Sequence, residues 1–295
     1  MERETPSRFF KWIILAALAA VLVPAGPARA EDGDEALAKA RALSFGIDYT
    51  LVTDYVWRGV NLSEYPGERP EDLNHQMTVS GAYDTGCVGT FSASIWFEWY
   101  AGQQTMAPGS DGNLQEVDYT VAWSYNVEPI FTTVEFGWIG YHFPQLNGDA
   151  AFTHEGYVTL SFDDGALLGM EQGFLNPYIS YYLDFDDVRG SWLEWGISHD
   201  FALADFGLDN TPVLKDITLT PSFAMGIDHE YWSGDTRLAN LLYGLDLTFD
   251  LGSAVGMPEE YGSLELIGFM RFSDAVFESF LNDEFWGGFT IAYGY

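Results

Sequence analysis

Phe45-Gly46-Ile47-Asp48-Tyr49-Thr50-Leu51-Val52-Thr53-Asp54-Tyr55-Val56-Trp57 is a run with a period of two. Its odd positions are apolar in six of seven places, and its even positions are mixed, with two acids. Alternate side chains of a strand point to opposite faces. Alternation over this length predicts a strand through Trp57 rather than a helix.

The pattern recurs. Met77, Val79, Gly81 and Tyr83 alternate with Gln76, Thr78, Ser80 and Asp84. Phe91 to Trp99 and Val117 to Tyr125 repeat it, with serines, threonines and acids on the second face. Further strands are expected near 130–143, 151–162, 175–185, 191–201, 215–227, 239–250, 262–273 and 284–295. The total is about twelve, an even number as bacterial outer-membrane barrels use, and each strand approaches the ~9–11 residues needed to cross a bilayer at a tilt. The predicted fold class is therefore all-β, a transmembrane antiparallel up-and-down barrel over 43–295, with an aromatic face toward lipid and a polar face toward the lumen. With both termini in the periplasm, the first and third connections (Asn61 to Asn74, Ala101 to Leu114) are long and face outside. The second and fourth (Thr85 to Val88, Asn126 to Pro129) are short. This alternation blurs beyond residue 163.

The last segment adds to this. Phe285, Gly287, Phe289, Ile291, Tyr293 and Tyr295 share one face, and the chain stops on that aromatic. A barrel pairs its last strand with its first to abolish edges. Phe289, Ile291, Tyr293 and Tyr295 resemble the terminal assembly signal of outer-membrane proteins, with Thr290 where a glycine is common. The resemblance implies the barrel assembly machinery as a partner.

The amino terminus reads as an export signal over residues 1–30. Arg3, Arg8 and Lys11 precede the apolar run Trp12 to Val23, Pro24 and Gly26 break it, and Ala28-Arg29-Ala30 is an A-x-A cleavage site. A polar lead-in, 31–42, follows. The location expected is the bacterial outer membrane.

The chain carries 44 acidic and 12 basic residues. That balance excludes nucleic acid as a partner, since binding it needs a basic footprint. It favours cationic or neutral polar solutes, or reflects a saline habitat. Aromatics are 17% of residues, a share that membrane barrels use in girdles at the two lipid–water boundaries. Tyr55, Trp57, Trp99, Trp123 and Tyr293 are the girdle candidates. Asp48, Asp54, Arg58, Glu98 and Asp118 fall on the polar face and are the lumen and selectivity candidates. Arg58 is expected to pair with Asp54, Glu98 or Asp118, and Gly59 to let the chain leave the strand.

Thr53-Asp54-Tyr55-Val56-Trp57-Arg58-Gly59-Val60-Asn61-Leu62-Ser63 resembles the opening signature of a family of uncharacterised bacterial outer-membrane barrels, which reads roughly S-x-Y-x-x-R-G. Tyr55, Arg58, Gly59 and Ser63 match it, while Thr53 stands for the frequent serine and Trp57 for another aromatic. The resemblance covers about the first 60 residues after the leader and implies fold and location, not a reaction.

Enzyme chemistry finds little support. His154-Glu155 and His199-Asp200 are sequence neighbours, so on strands each pair faces opposite sides. No Gly-x-Ser-x-Gly elbow, P-loop or dinucleotide fingerprint occurs. Asp163-Asp164-Gly165, the acids at 184, 186 and 187, and Ser110 to Asn113 read as turns without calcium-loop spacing. Cys87 is the sole cysteine, so no intramolecular disulfide forms. No cofactor or metal is expected. Three readings remain: a passive channel for small polar or cationic solutes in contact with outer-membrane lipids, a structural or interaction barrel whose lumen is filled by groups such as Trp96, Trp192 and Arg58, and a lipid hydrolase.

Overall fold

The computed structural model describes residues 42–63, 73–100, 113–146, 148–170, 172–211, 213–277 and 281–295. The leader and most of the lead-in lie outside these residues, as does the turn Ser110 to Gly112. Twelve wall strands are formed: β1 (Leu43–Val52), β2 (Asn74–Asp84), β3 (Thr90–Tyr100), β4 (Leu114–Val127), β5 (Thr132–His142), β6 (Phe152–Phe162), β7 (Tyr178–Asp184), β8 (Ser191–Ser198), β9 (Ile217–His229), β10 (Thr236–Asp250), β11 (Ser263–Ala275) and β12 (Glu284–Gly294). Each pairs antiparallel with its sequence neighbours, and β12 pairs back onto β1. The sheet is closed, so every strand spends its backbone hydrogen bonds inside the wall, as a bilayer requires. Phe201–Ala202 adds two residues along β9.

Closure rests on a register from Gly46 opposite Gly294 to Val52 opposite Gly288. Phe45 and Tyr295 exchange backbone hydrogen bonds at 2.7 and 2.8 Å. Gly288 is where this seam is tightest, since a Cβ there would stand 2.2 Å from the Leu51 carbonyl oxygen.

The alternation read from sequence sorts into outside and inside. Phe285 and Phe289, 67% and 64% exposed, stand outward with Ile291, Tyr293 and Tyr295. Ile47, Tyr49, Val79, Tyr83, Phe91 and Phe136 are likewise exposed. An apolar band on a closed sheet is the surface that lipid covers. Inward, Thr50 shares a hydrogen bond with Thr290 across the seam at 2.7 Å, and tyrosines donate to glutamates: Tyr157 to Glu135 at 2.8 Å and Tyr178 to Glu194 at 2.7 Å. No helix of the described residues is long and apolar enough to cross a membrane.

Two expectations need correction. The first strand does not run to Trp57. It ends at Val52, and Val56–Trp57 pairs with Val60–Asn61 as a separate two-stranded hairpin. The loop alternation also reverses rather than blurs. At the end away from the termini, called the mouth here, 53–73 is long, but 185–190 and 230–235 are short. At the termini end, 85–89 and 128–131 are short, but 163–177, 199–216 and 251–262 are long. Buried aspartates explain the short mouth loops. Asp184 Oδ1 accepts from the Asp186, Val188 and Arg189 N–H groups, and Asp228 from those of Tyr231, Trp232 and Ser233. The longer connections hold the short helices Asp164–Leu168 and Leu251–Val255, N-capped by Asp163 and Asp250. The acids at 163, 164 and 184 thus organise loops, and Cys87 sits exposed in a turn.

Candidate functional site

After Val52 the chain folds into the barrel. Thr53 is still tied to β12, its N–H donating to the Gly287 carbonyl at 3.0 Å. The following segment then bonds to itself. Asn61 Nδ2 donates to Asp54 at 3.1 Å, the Tyr55 N–H to Ser63 Oγ at 3.0 Å, the Leu62 N–H to the Tyr55 carbonyl at 2.7 Å, and Ser63 Oγ to Asn61 Oδ1 at 2.7 Å. Asp54, Tyr55, Asn61 and Ser63 are buried.

The turn of this hairpin is Arg58-Gly59, between the paired Trp57 and Val60. Both turn residues have positive φ, 50° and 81°. A two-residue hairpin loop with positive φ at both positions is the type I′ pattern, ordinarily filled by Asn-Gly. An arginine in the left-handed region costs about 1 kcal/mol. The strain persists because the surroundings hold the side chain.

Those surroundings are on the far wall. Arg58 Nη1 lies 2.8 Å from Glu155 Oε1 of β6, with the two side chains 4% and 0% exposed. The Tyr141 hydroxyl of β5 donates to the other Glu155 oxygen at 2.5 Å. The Arg58–Glu155 contact is a buried ion pair. Aromatic rings supply the remaining stabilisation: the guanidinium carbon stands over Tyr231 (4.3 Å), Tyr182 (4.7 Å), Trp57 (4.9 Å) and Trp192 (5.6 Å). Positive charge over a ring face is attracted by the ring quadrupole. Gly59 packs on the same wall, where an added Cβ would meet Asn240 Nδ2 and Leu281 Cδ1 at 3.2 Å each. The hairpin leaves the wall at β1 and reaches β6, β8 and β10, so it bridges the lumen.

Two girdle candidates are therefore misplaced by sequence. Tyr55 is 6% exposed, and its ring tilts against the lumenal Trp96 at 5.3 Å. Trp57 meets Tyr141 edge-on at 6.1 Å. Neither faces lipid, because the strand has ended before them. Trp99 stacks on Phe97, and Trp123 on Tyr125 and Phe136, along the outward side of the wall. The Tyr293 hydroxyl reaches the Tyr261 carbonyl at 2.8 Å.

Of the lumen candidates, Asp48 faces inward on β1, in alternation with the exposed Ile47 and Tyr49. Asp54 caps the hairpin. Glu98 and Asp118 come together with Glu116 behind Tyr55. None of the three acids expected to pair with Arg58 does so, since the hairpin carries the guanidinium to the opposite wall. In the sequence, Glu155, its partner, stands out only as the neighbour of His154. The hint in the sequence was the two-residue Arg-Gly turn between Trp57 and Val60. Arg271 on β11 pairs with Asp246, and Arg237 on β10 with Asp235.

Two cavities flank the hairpin. The larger, about 340 Å³, is lined by Val52, Asp54, Tyr55, Val56, Trp57, Gln76, Trp96, Asp118, Phe269 and Trp286. The smaller, about 60 Å³, lies between Arg58, Gly59, Trp192, Glu194 and Asn240. Among the described residues no group of three or more His, Cys, Asp or Glu is arranged to hold a metal ion.

No family model matches the chain, and no curated protein matches it. Solved structures of barrels are similar in architecture. An outer-membrane channel from Pseudomonas putida F1 has a TM-score of 0.49 at 9% identity, over 92% of this chain and 100% of that one. The NanC porin has 0.46 at 12% identity, over 84% and 98%. The KdgM porin has 0.42 at 12% identity, over 85% and 98%.

Proposed function

We propose that this chain is a bacterial outer-membrane channel for small polar or cationic solutes, narrowed by the hairpin of residues 53–63. The observation that carries this reading is the inward face of the wall. Acids such as Asp48, Glu98, Asp118, Glu135, Glu194 and Glu265 sit there, and Arg58 and Arg271 are each paired to an acid. Lumen charge tunes selectivity, and an acidic conduit favours cations. Lipid on the outside, the assembly machinery acting on β12 and kinship with the S-x-Y-x-x-R-G barrels belong to the same reading.

The test is the reversal potential of the purified chain in planar bilayers across a KCl gradient. Cation preference supports the proposal, and absent conductance or anion preference refutes it. The plugged-barrel alternative is favoured by one feature, the hairpin itself. It predicts no conductance until the hairpin is removed.

A further inference from the structure

Arg58 shows how this lumen holds a cation: aromatic faces around it and one carboxylate, Glu155, against it. On the other side of the hairpin, the 340 Å³ cavity repeats that composition. Tyr55, Trp57, Trp96 and Trp286 contribute aromatic walls, and Asp54 and Asp118 contribute carboxylates. Among the described residues no lysine or arginine lines it. Arg271 lies over Phe269 at 5.3 Å but is paired to Asp246. The Asp118 carboxyl stands against Glu116 and near Glu98, and its Oδ1 is buried without a donor aimed at it. A buried carboxylate oxygen without a donor is costly unless a partner satisfies it. From this we infer that the cavity is a binding site for a small organic ammonium ion.

The chemistry selects that class. Desolvated aromatic faces attract a diffuse cation such as a methylated ammonium, and the carboxylates add charge complementarity. A bare divalent ion would need a convergent oxygen cage, which the described residues do not form. The walls come from both the wall strands and the hairpin: Trp96 and Asp118 stand on β3 and β4, Trp286 on β12, and Tyr55 and Trp57 on the hairpin. Binding thus couples to hairpin position, and a bound cation holds the hairpin where it is. The inference rests on the channel reading for access to the site, but its test separates the two.

The experiment titrates choline and its uncharged isostere 3,3-dimethylbutanol into the folded full chain in detergent. Tryptophan fluorescence and calorimetry report binding. The same preparation is tested for KCl conductance in bilayers. Saturable choline binding is expected, weakened on the order of ten-fold by Asp118→Asn and again by Trp96→Leu, with the isostere at least ten-fold weaker. Normal thermal unfolding of both variants shows that they fold. Equal binding of choline and isostere, or no choline binding, overturns the inference. If that happens while the channel conducts cations, the channel reading stands alone. Choline binding without conductance supports the site and refutes the channel.

Discussion

Replacing Arg58 with methionine removes the charge and the guanidinium and keeps only an unbranched apolar stem. The structure sets the cost. Glu155, fully buried, loses the Arg58 guanidinium and keeps the Tyr141 hydroxyl. Breaking a buried pair by removing one member costs roughly 3–5 kcal/mol, because the remaining charge is left uncompensated. Tyr141 places Arg58→Met toward the lower end, and the methionine retains some contact with the rings. A value near 3 kcal/mol weakens hairpin docking roughly a hundredfold. Single-channel recording reads this directly, since a hairpin that leaves the lumen opens the bridged mouth. The variant is expected to show larger, noisier openings and stronger cation preference, one positive charge having gone. Arg58→Met combined with Glu155→Gln should recover part of the loss, since the orphaned carboxylate is gone too. A variant with wild-type conductance, noise and stability would refute the idea that this ion pair holds the hairpin.

Three further outcomes follow from the same geometry. Gly59→Ala puts a Cβ at φ 81° and 3.2 Å from Asn240 and Leu281, so it should cost about 1–2 kcal/mol in thermal unfolding and loosen the hairpin in the same direction as Arg58→Met. Burial acts to raise the Asp164 carboxyl, but the N–H groups of Leu175, Asn176 and Phe174 outweigh it and hold the group below its ordinary value. A depressed carboxyl contributes stability that is present above the unfolded value of about 3.9 and lost as pH falls through the folded one. Amide exchange at 174–176 should therefore accelerate only in strong acid, and acceleration between pH 7 and 5 would contradict it. Deleting 293–295 removes the Phe45–Tyr295 pair and the Ile47–Tyr293 register, and should abolish heat-resistant folded barrel in outer-membrane fractions. Wild-type folded yield would contradict that.

The wall was legible because its physics is periodic. Thr90 to Tyr100 and Glu284 to Gly294 show lipid on one side and a wet lumen on the other in every second residue. The hairpin was not legible, because Thr53, Tyr55 and Trp57 continue the odd-position pattern of β1 without a break. Period two states that these side chains share a face, but not that the backbone has already turned inward. Aromatics suit a lipid boundary and a cation cage equally, so composition does not separate the two. The Arg58–Glu155 pair joins segments far apart in sequence and depends on where the hairpin lands, which no local pattern encodes. The loop lengths misled for a related reason: one buried aspartate can shorten a mouth loop, as Asp184 and Asp228 do.

The central claim is an acidic conduit bridged by the hairpin. It is tested most directly by comparing single-channel conductance and reversal potential of the full chain with those of a variant in which residues 54–62 are replaced by a short Gly-Ser turn. The account predicts small cation-preferring openings in the full chain, and openings several-fold larger with the same preference in the variant. Equal conductance in the two, or anion preference in either, would contradict it.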